Sequence, residues 1–319
     1  MNLFLNSFLN LAHKPVLLNE VLDSFLIFNQ RADLVCFDGT YGRGGHFRAV
    51  HEKYAPALSY LTDQDLEAAG QAKLDWQEQI KAGKIKIFHQ NFYEFVQSRL
   101  ERQPFDMVLL DLGVSSPQLD QAFRGFSFNK DGPLDMRMNQ TTGTTAAEII
   151  NTFSQEDLIS IFSSFGEIQN PARVVRAIVN DRVIKPFVTT LQLAGLIERV
   201  DGWHKKGFHP ATQYFMALRL VINRELEVIE KVLPLLITQL QDKGRISVIT
   251  FHSLEDRIVK NIFKNSTDGF LVNKKVIVPS EEECKINPRA RSAKLRVFQK
   301  GKPPEKPDKF AQRREQRST

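Results

Sequence analysis

The chain has 319 residues, 42% of them hydrophobic and 25% charged, a composition that excludes wholesale disorder and leaves room for two domains. No run approaches the roughly 18 uninterrupted apolar residues of a membrane-spanning helix, and two cysteines can build neither a disulfide framework nor a Cys-rich zinc site, so a reducing cytosol is the expected setting. The net charge of +6 is uneven: residues 285–319 hold twelve Lys/Arg against three acids, which leaves the other 284 residues at −3 and points to a polyanionic partner.

In chain order, the first segment (MNLFLNSFLNLAHK) is apolar but interrupted by Asn2, Asn6 and Asn10, with no basic stretch ahead of it. It is expected to be a loosely attached extension rather than a signal peptide. Leu34 to Phe37 form a buried-strand run ending at Asp38, and a glycine-rich stretch from Gly39 to His46 follows. Leu58 to Leu61 lead to Asp63, Lys84 to Phe88 lead to Asn91-Phe92, and Phe105 to Leu110 end at Asp111. Ile246 to Phe251 end at His252. Strands alternating with helical patterns predict an α/β fold with a mostly parallel, doubly wound sheet, whose ligands sit outside the carboxyl ends of the strands.

The gap of about 135 residues between the fourth and fifth strands is too long for one crossover. Ser154 to Asp157 form a capping box ahead of Leu158, Ile161 and Phe162, and Val174, Ile178 and Thr189 to Val200 continue the helical pattern. The reading is an inserted helical subdomain over 140–205. From His209 one long helix is expected, with Phe215, Leu218, Ile222, Leu226, Ile229 and Leu233 on its apolar stripe. Ser253 to Asp256 should cap the helix after the fifth strand, and the Pro- and Lys-rich end from Lys300 should be disordered.

The spacing Gly39-x-x-Gly42-x-Gly44-Gly45 after a strand lets backbone approach a ligand and exposes helix N-terminal amides. It is not the G-x-G-x-x-G of dinucleotide binders, which disfavours a nicotinamide-dependent oxidoreductase. Asp63 is placed for two ribose hydroxyls, so the pair suggests a nucleoside-containing cofactor. Arg124-Gly125-Phe126-Ser127-Phe128 and Asp131 to Met138 mix arginines, aromatics and glycines in a way that could clamp a nucleotide, with Phe126 and Phe128 more often core than stacking platforms. His46 and His252 lack metal-ligand spacing and are expected as polar loop residues, with no metal site.

The strings HKPVLLNEVL (13–22), DGTYGRGGH (38–46), DLGVSSPQLD (111–120), RGFSF with DGPLDMRM (124–138), HPATQYFMALRLVINREL (209–226), FHSLEDRIVK (251–260) and NPRARSAKLR (287–296) resemble the RsmH/MraW family of methyltransferases. The resemblance spans residues 13–297 and implies a class I S-adenosylmethionine-dependent fold. Residues 1–139 and 206–299 would form the methyltransferase domain, 140–205 an inserted substrate-recognition domain and 300–319 a basic tail outside the pattern. It implies methylation of the exocyclic N4 of a P-site cytidine in bacterial 16S rRNA. By carry-over, Gly44, Gly45 and His46 contact S-adenosylmethionine, Asp63 holds the ribose, Phe92 sits by the adenine, and Asp111 and Gln118 complete the cofactor contacts. Tyr41 departs from the family, where phenylalanine is usual.

Asp111 is also the best candidate to accept a hydrogen bond from the amine. Methylation at cytosine C5 commonly needs a thiolate; Cys36 lies inside a predicted strand and Cys284 in an acidic loop, which favours an amine target. The expected partner is 16S rRNA within the small ribosomal subunit, not a membrane, with a homodimer as a further candidate arrangement. A different class of function is an RNA-binding ribosome assembly factor with a vestigial nucleoside pocket, against which intact Gly44, Gly45, Asp63 and Asp111 argue.

Overall fold

Apolar runs bounded by polar turns become strands because a parallel sheet is covered on both faces and tolerates little polar surface. In the computed structural model, which describes residues 15–99, 103–203 and 209–303, seven strands form one sheet in the order β3-β2-β1-β4-β5-β7-β6. They are β1 (Val35–Asp38), β2 (Leu58–Asp63), β3 (Ile85–His89), β4 (Phe105–Asp111), β5 (Leu240–Thr250), β6 (Gly269–Leu271) and β7 (Lys294–Lys300). β1 to β5 run parallel, whereas β7 lies antiparallel between β5 and β6. The sheet is thus the expected mostly parallel, doubly wound α/β class. The N-terminal extension and residues 304–319 lie outside the described residues, whereas Lys300, where the disordered tail is expected to begin, ends β7 and donates to the Thr238 and Leu240 carbonyls.

Helices α1 (Leu18–Ser24), α2 (Gly45–Tyr54), α3 (Leu66–Asp75) and α4 (Gln77–Lys81) cover one face, and α5 (Phe92–Ser98) begins the cover of the other. A short α6 (Ser116–Asp120) follows β4. Four helices come next: α7 (Ala146–Thr152), α8 (Gln155–Gly166), α9 (Ala172–Ile184) and α10 (Thr190–Asp201). α11 (Ala211–Ile222) and α12 (Glu225–Gln239) lead back to β5. α13 (Ser253–Asn265) packs with α5 and α12, and α14 (Glu281–Ile286) precedes β7. Among the described residues no helix is long and apolar enough to cross a membrane.

Alternation along β1 sends Cys36 to the core on one face and Val35 and Phe37 to the core on the other. A third core belongs to the helical unit: Phe162, Ile178, Leu193 and Leu218 meet Phe126, Met136 and Ala146. This core takes in residues on both sides of the expected 140–205 span, because α11 and the segment 126–138 pack into it.

Four local expectations are corrected. The long helix from His209 is two, broken where Arg224 adopts φ 51°, and the break re-phases the stripe so that Glu225 is buried while Leu226 is only half-buried. The cap of α13 is His252, one residue earlier than expected, paired reciprocally with Glu255. Strand β5 begins at Leu240 rather than Ile246. The arginines of the expected nucleotide clamp are committed within the protein. Arg124 is buried against Asp65 at 2.6 Å and donates to the carbonyls of Arg137 and Met138, and Arg137 forks onto Asp135.

A latch ties the far end of the chain to its start. Glu283 Oε1 accepts the Leu17 N–H at 2.8 Å, and Arg289 donates to Ser116 Oγ at 2.8 Å and to Asp120 Oδ1 at 2.9 Å.

Candidate active site

The strand order reverses between β1 and β4, so a crevice opens above their carboxyl ends. The glycine-rich turn lines it. Gly44 takes φ 72° as the N-cap of α2, and an added Cβ would meet the Tyr41 hydroxyl, so only glycine fits. Gly45 faces Pro15, whose Cγ lies 2.5 Å from where a Cβ would stand. Both are therefore required by the protein's own packing. Gly42, at φ 54°, has only the Thr40 carbonyl near it, and this is the open face of the turn. Tyr41 uses the hydroxyl that phenylalanine lacks: it donates to Asp75 at 2.6 Å and accepts from Trp76 Nε1 at 3.1 Å.

Asp63 ends β2 half-buried. Its Oδ2 accepts the Gly42 N–H and its Oδ1 the Asp65 N–H, both at 2.8 Å, so the backbone fixes the carboxylate while each oxygen keeps a lone pair. Burial pushes its carboxyl up to about 6, against those two bonds. Asp38, at the end of β1, is 2% exposed, and burial pushes it up to about 7 although Thr40 donates to it. His46 is buried in the first turn of α2, not in a loop, with acceptors at both ring nitrogens. Nε2 lies 2.8 Å from the Val16 carbonyl and Nδ1 3.4 Å from Asp111 Oδ2. Burial works to lower its pKa, but the bond and charge of Asp111 outweigh that and hold it above its ordinary value. A ring facing two acceptors satisfies both only as imidazolium. Asp111 Oδ1 is buried with no hydrogen-bond partner among the described residues.

Thus Gly44, Gly45, His46, Asp63 and Asp111 gather around the ends of β1, β2 and β4. Gln118 is turned inward: its Oε1 accepts the Ser115 N–H and its Nε2 donates to Asp65, each at 2.9 Å. Phe92 is the first residue of α5 rather than part of a loop, and lines a cavity with Asn91, Gln64 and Gly113. Sequence reasoning missed Asp65, the buried N-cap of α3 that holds Gln118 and Arg124. Its signal was an acid two residues past a strand end. It also missed Glu225 and Glu255, which line the same cavity.

The residues fit a nucleoside cofactor bearing a positive sulfur: a carboxylate fixed for a diol, an open glycine, and an orphaned carboxylate oxygen for a cation. The profile of the MraW methylase family matches residues 10–301. A ribosomal RNA small subunit methyltransferase H from Bdellovibrio bacteriovorus is 57% identical over 289 residues, covering 90% of this chain and 88% of that protein. Proteins of the same name from Acinetobacter baylyi and a Cyanothece strain are 43% and 42% identical, covering 91% and 90% of this chain and 99% and 94% of their own.

Proposed function

The chain belongs to the MraW methylase family, and from that premise we propose that it transfers a methyl group from S-adenosylmethionine to the N4 amine of a P-site cytidine in 16S rRNA. The observation that carries the reading is the buried, unpartnered Oδ1 of Asp111 beside the glycine-rich turn. The names of the relatives support small-subunit rRNA as the acceptor. S-adenosylmethionine supplies an electrophilic methyl on a sulfonium. Asp63 accepts the ribose hydroxyls, the open Gly42 turn lets backbone approach, and Phe92 flanks the base. Asp111 faces the positive charge, its own position held by His46. Because in-line displacement depends on alignment, fixing these groups on strand ends supplies much of the acceleration.

An amine target is supported by the fate of the thiols. Cys36 is sealed in β1 and burial pushes its thiol well up, while Cys284 lies in α14 and is not among the residues that line the cavity. Residues 140–205 are proposed to meet the rRNA, consistent with exposed Arg176 and Lys185 on and after α9. The basic tail, outside the described residues, adds phosphate contacts, and deleting residues 304–319 should flatten the salt slope of subunit binding by about 2–3 units.

Labelled S-adenosylmethionine given with unmodified small subunits, followed by nucleoside digestion, tests the reading. N4-methylcytidine is the expected product. Label in 5-methylcytidine, or none in RNA, overturns it.

A further inference from the structure

A second cluster of buried charge lines the same cavity as Asn91 and Phe92. Arg219, near the end of α11, forks onto Glu225: Nε to Oε1 is 2.9 Å and Nη2 to Oε2 is 3.0 Å. Glu255, in the first turn of α13, is 0% exposed, and its Oε2 accepts the Phe251 N–H at 2.8 Å. Its Oε1 makes no hydrogen bond. His252 Nε2 lies 3.1 Å from it but off the line of one, and is itself without a partner. Glu225 and Glu255 both line the cavity, and so do Leu112 and Gly113, directly after Asp111.

The charges do not cancel. His252 Nδ1 accepts the Glu255 N–H at 3.4 Å, so that ring nitrogen is committed to the cap of α13. One arginine faces two carboxylates, and a surplus of negative charge in a buried pocket is costly unless a visitor compensates it. A visitor with N–H donors that becomes cationic during the reaction fits. An amine accepting a methyl group does both.

We propose that Glu255 is the receptor for the acceptor amine, an inference that rests on the methyl-transfer reading above. Oε1 accepts one N–H of the amine. The nitrogen's electron pair forms the N–CH₃ bond as the S–CH₃ pair returns to sulfur, and the proton then surplus on nitrogen passes to Glu255 Oε1, to leave to water with product release. Arg219 balances Glu225 and so leaves one negative charge for this task.

Glu255→Gln keeps the shape and the bond from Phe251 while removing the charge. Calorimetry should give an S-adenosylmethionine affinity within about twofold of the parent, and single-turnover transfer to unmodified small subunits should slow by about 50-fold or more, with subunit KM nearly unchanged. A rate within about threefold of the parent overturns the proposal. So does a cofactor affinity that falls as far as the rate, since the carboxylate would then serve the cofactor. If Glu255→Gln loses its cooperative melt, Glu225→Gln decides, because it removes the same surplus charge: a slowed rate with cofactor affinity kept supports the proposal, and an unchanged rate overturns it. A parent protein that methylates no RNA nucleoside overturns the methyl-transfer reading itself; an active parent matched by an equally active Glu255→Gln overturns only the role of Glu255.

Discussion

The two ends of the crevice hold buried carboxylates by different means. On the glycine-turn side, Asp38, Asp63 and Asp65 each accept backbone N–H groups, from Thr40, from Gly42 and Asp65, and from Glu67. On the helical side Glu225 is held by a side chain, Arg219, while Glu255 accepts the Phe251 and His252 N–H groups on one oxygen and leaves the other without a hydrogen bond. A backbone donor cannot be lost by substitution, whereas a side-chain partner can. Backbone thus fixes Asp38 and Asp63 at the first end, whereas Glu225 at the second depends on a single side chain.

The largest effect should come from removing the keystone of the second end. Arg219→Met leaves two carboxylates buried around no cation and should destabilise the protein by about 3–5 kcal/mol in urea unfolding. Arg124→Met, whose partner Asp65 keeps Gln118 and the Glu67 N–H, should lose clearly less. Equal losses would break the comparison. Asp63→Ala should weaken S-adenosylmethionine binding by about 1.5–3 kcal/mol in calorimetry with little change in melting. An unchanged affinity removes Asp63 from the site.

Asp38 sharpens the comparison through pH. Burial raises its folded pKa to about 7 from an ordinary 3.8, so the stability it contributes is full below pH 3.8 and lost as pH rises through 7. Asp38→Asn cannot ionise, so its stability relative to the parent should rise by about 2–3 kcal/mol between pH 5 and pH 8. A flat difference across that window would mean Asp38 is ionised throughout. Asp111→Asn removes the charge that faces the sulfonium and should weaken S-adenosylmethionine binding by about tenfold or more in calorimetry, and an unchanged affinity would leave the carboxylate without a part in holding the cofactor. Smallest of all, a folded Cys36→Ser, Cys284→Ser double variant should keep its turnover; normal cofactor binding without methylcytidine would return a covalent route through a thiolate.

The first end was readable from sequence because strand runs are contiguous and strand ends point one way: Asp38, Asp63 and Asp111 each close an apolar run, and the order of strands brings them to one edge. The second end was not. Glu225 sits in an apolar helical stripe that nominates Leu226 for burial, and only the left-handed Arg224 shifts the phase by one position. Glu255 reads as an ordinary capping acid, which it is, and nothing local reveals that it lines a cavity. Arg124 reads as a phosphate ligand until Asp65, 59 residues away, is seen beside it. Long-range pairing is what a one-dimensional reading lacks.

The latch at Glu283 and Arg289 bears on when the molecule becomes competent during its own synthesis. Val16 holds His46, His46 holds Asp111, and the segment carrying Val16 is tied down by a carboxylate 266 residues after Leu17. The loop carrying Ser116 waits for Arg289 in the same way. A chain still emerging from the ribosome can thus assemble β1 to β4, yet its turn and its Asp111 stay unsecured until almost the last strand has been made. Nascent copies would hold cofactor poorly, and the enzyme would meet its substrate only as a finished molecule.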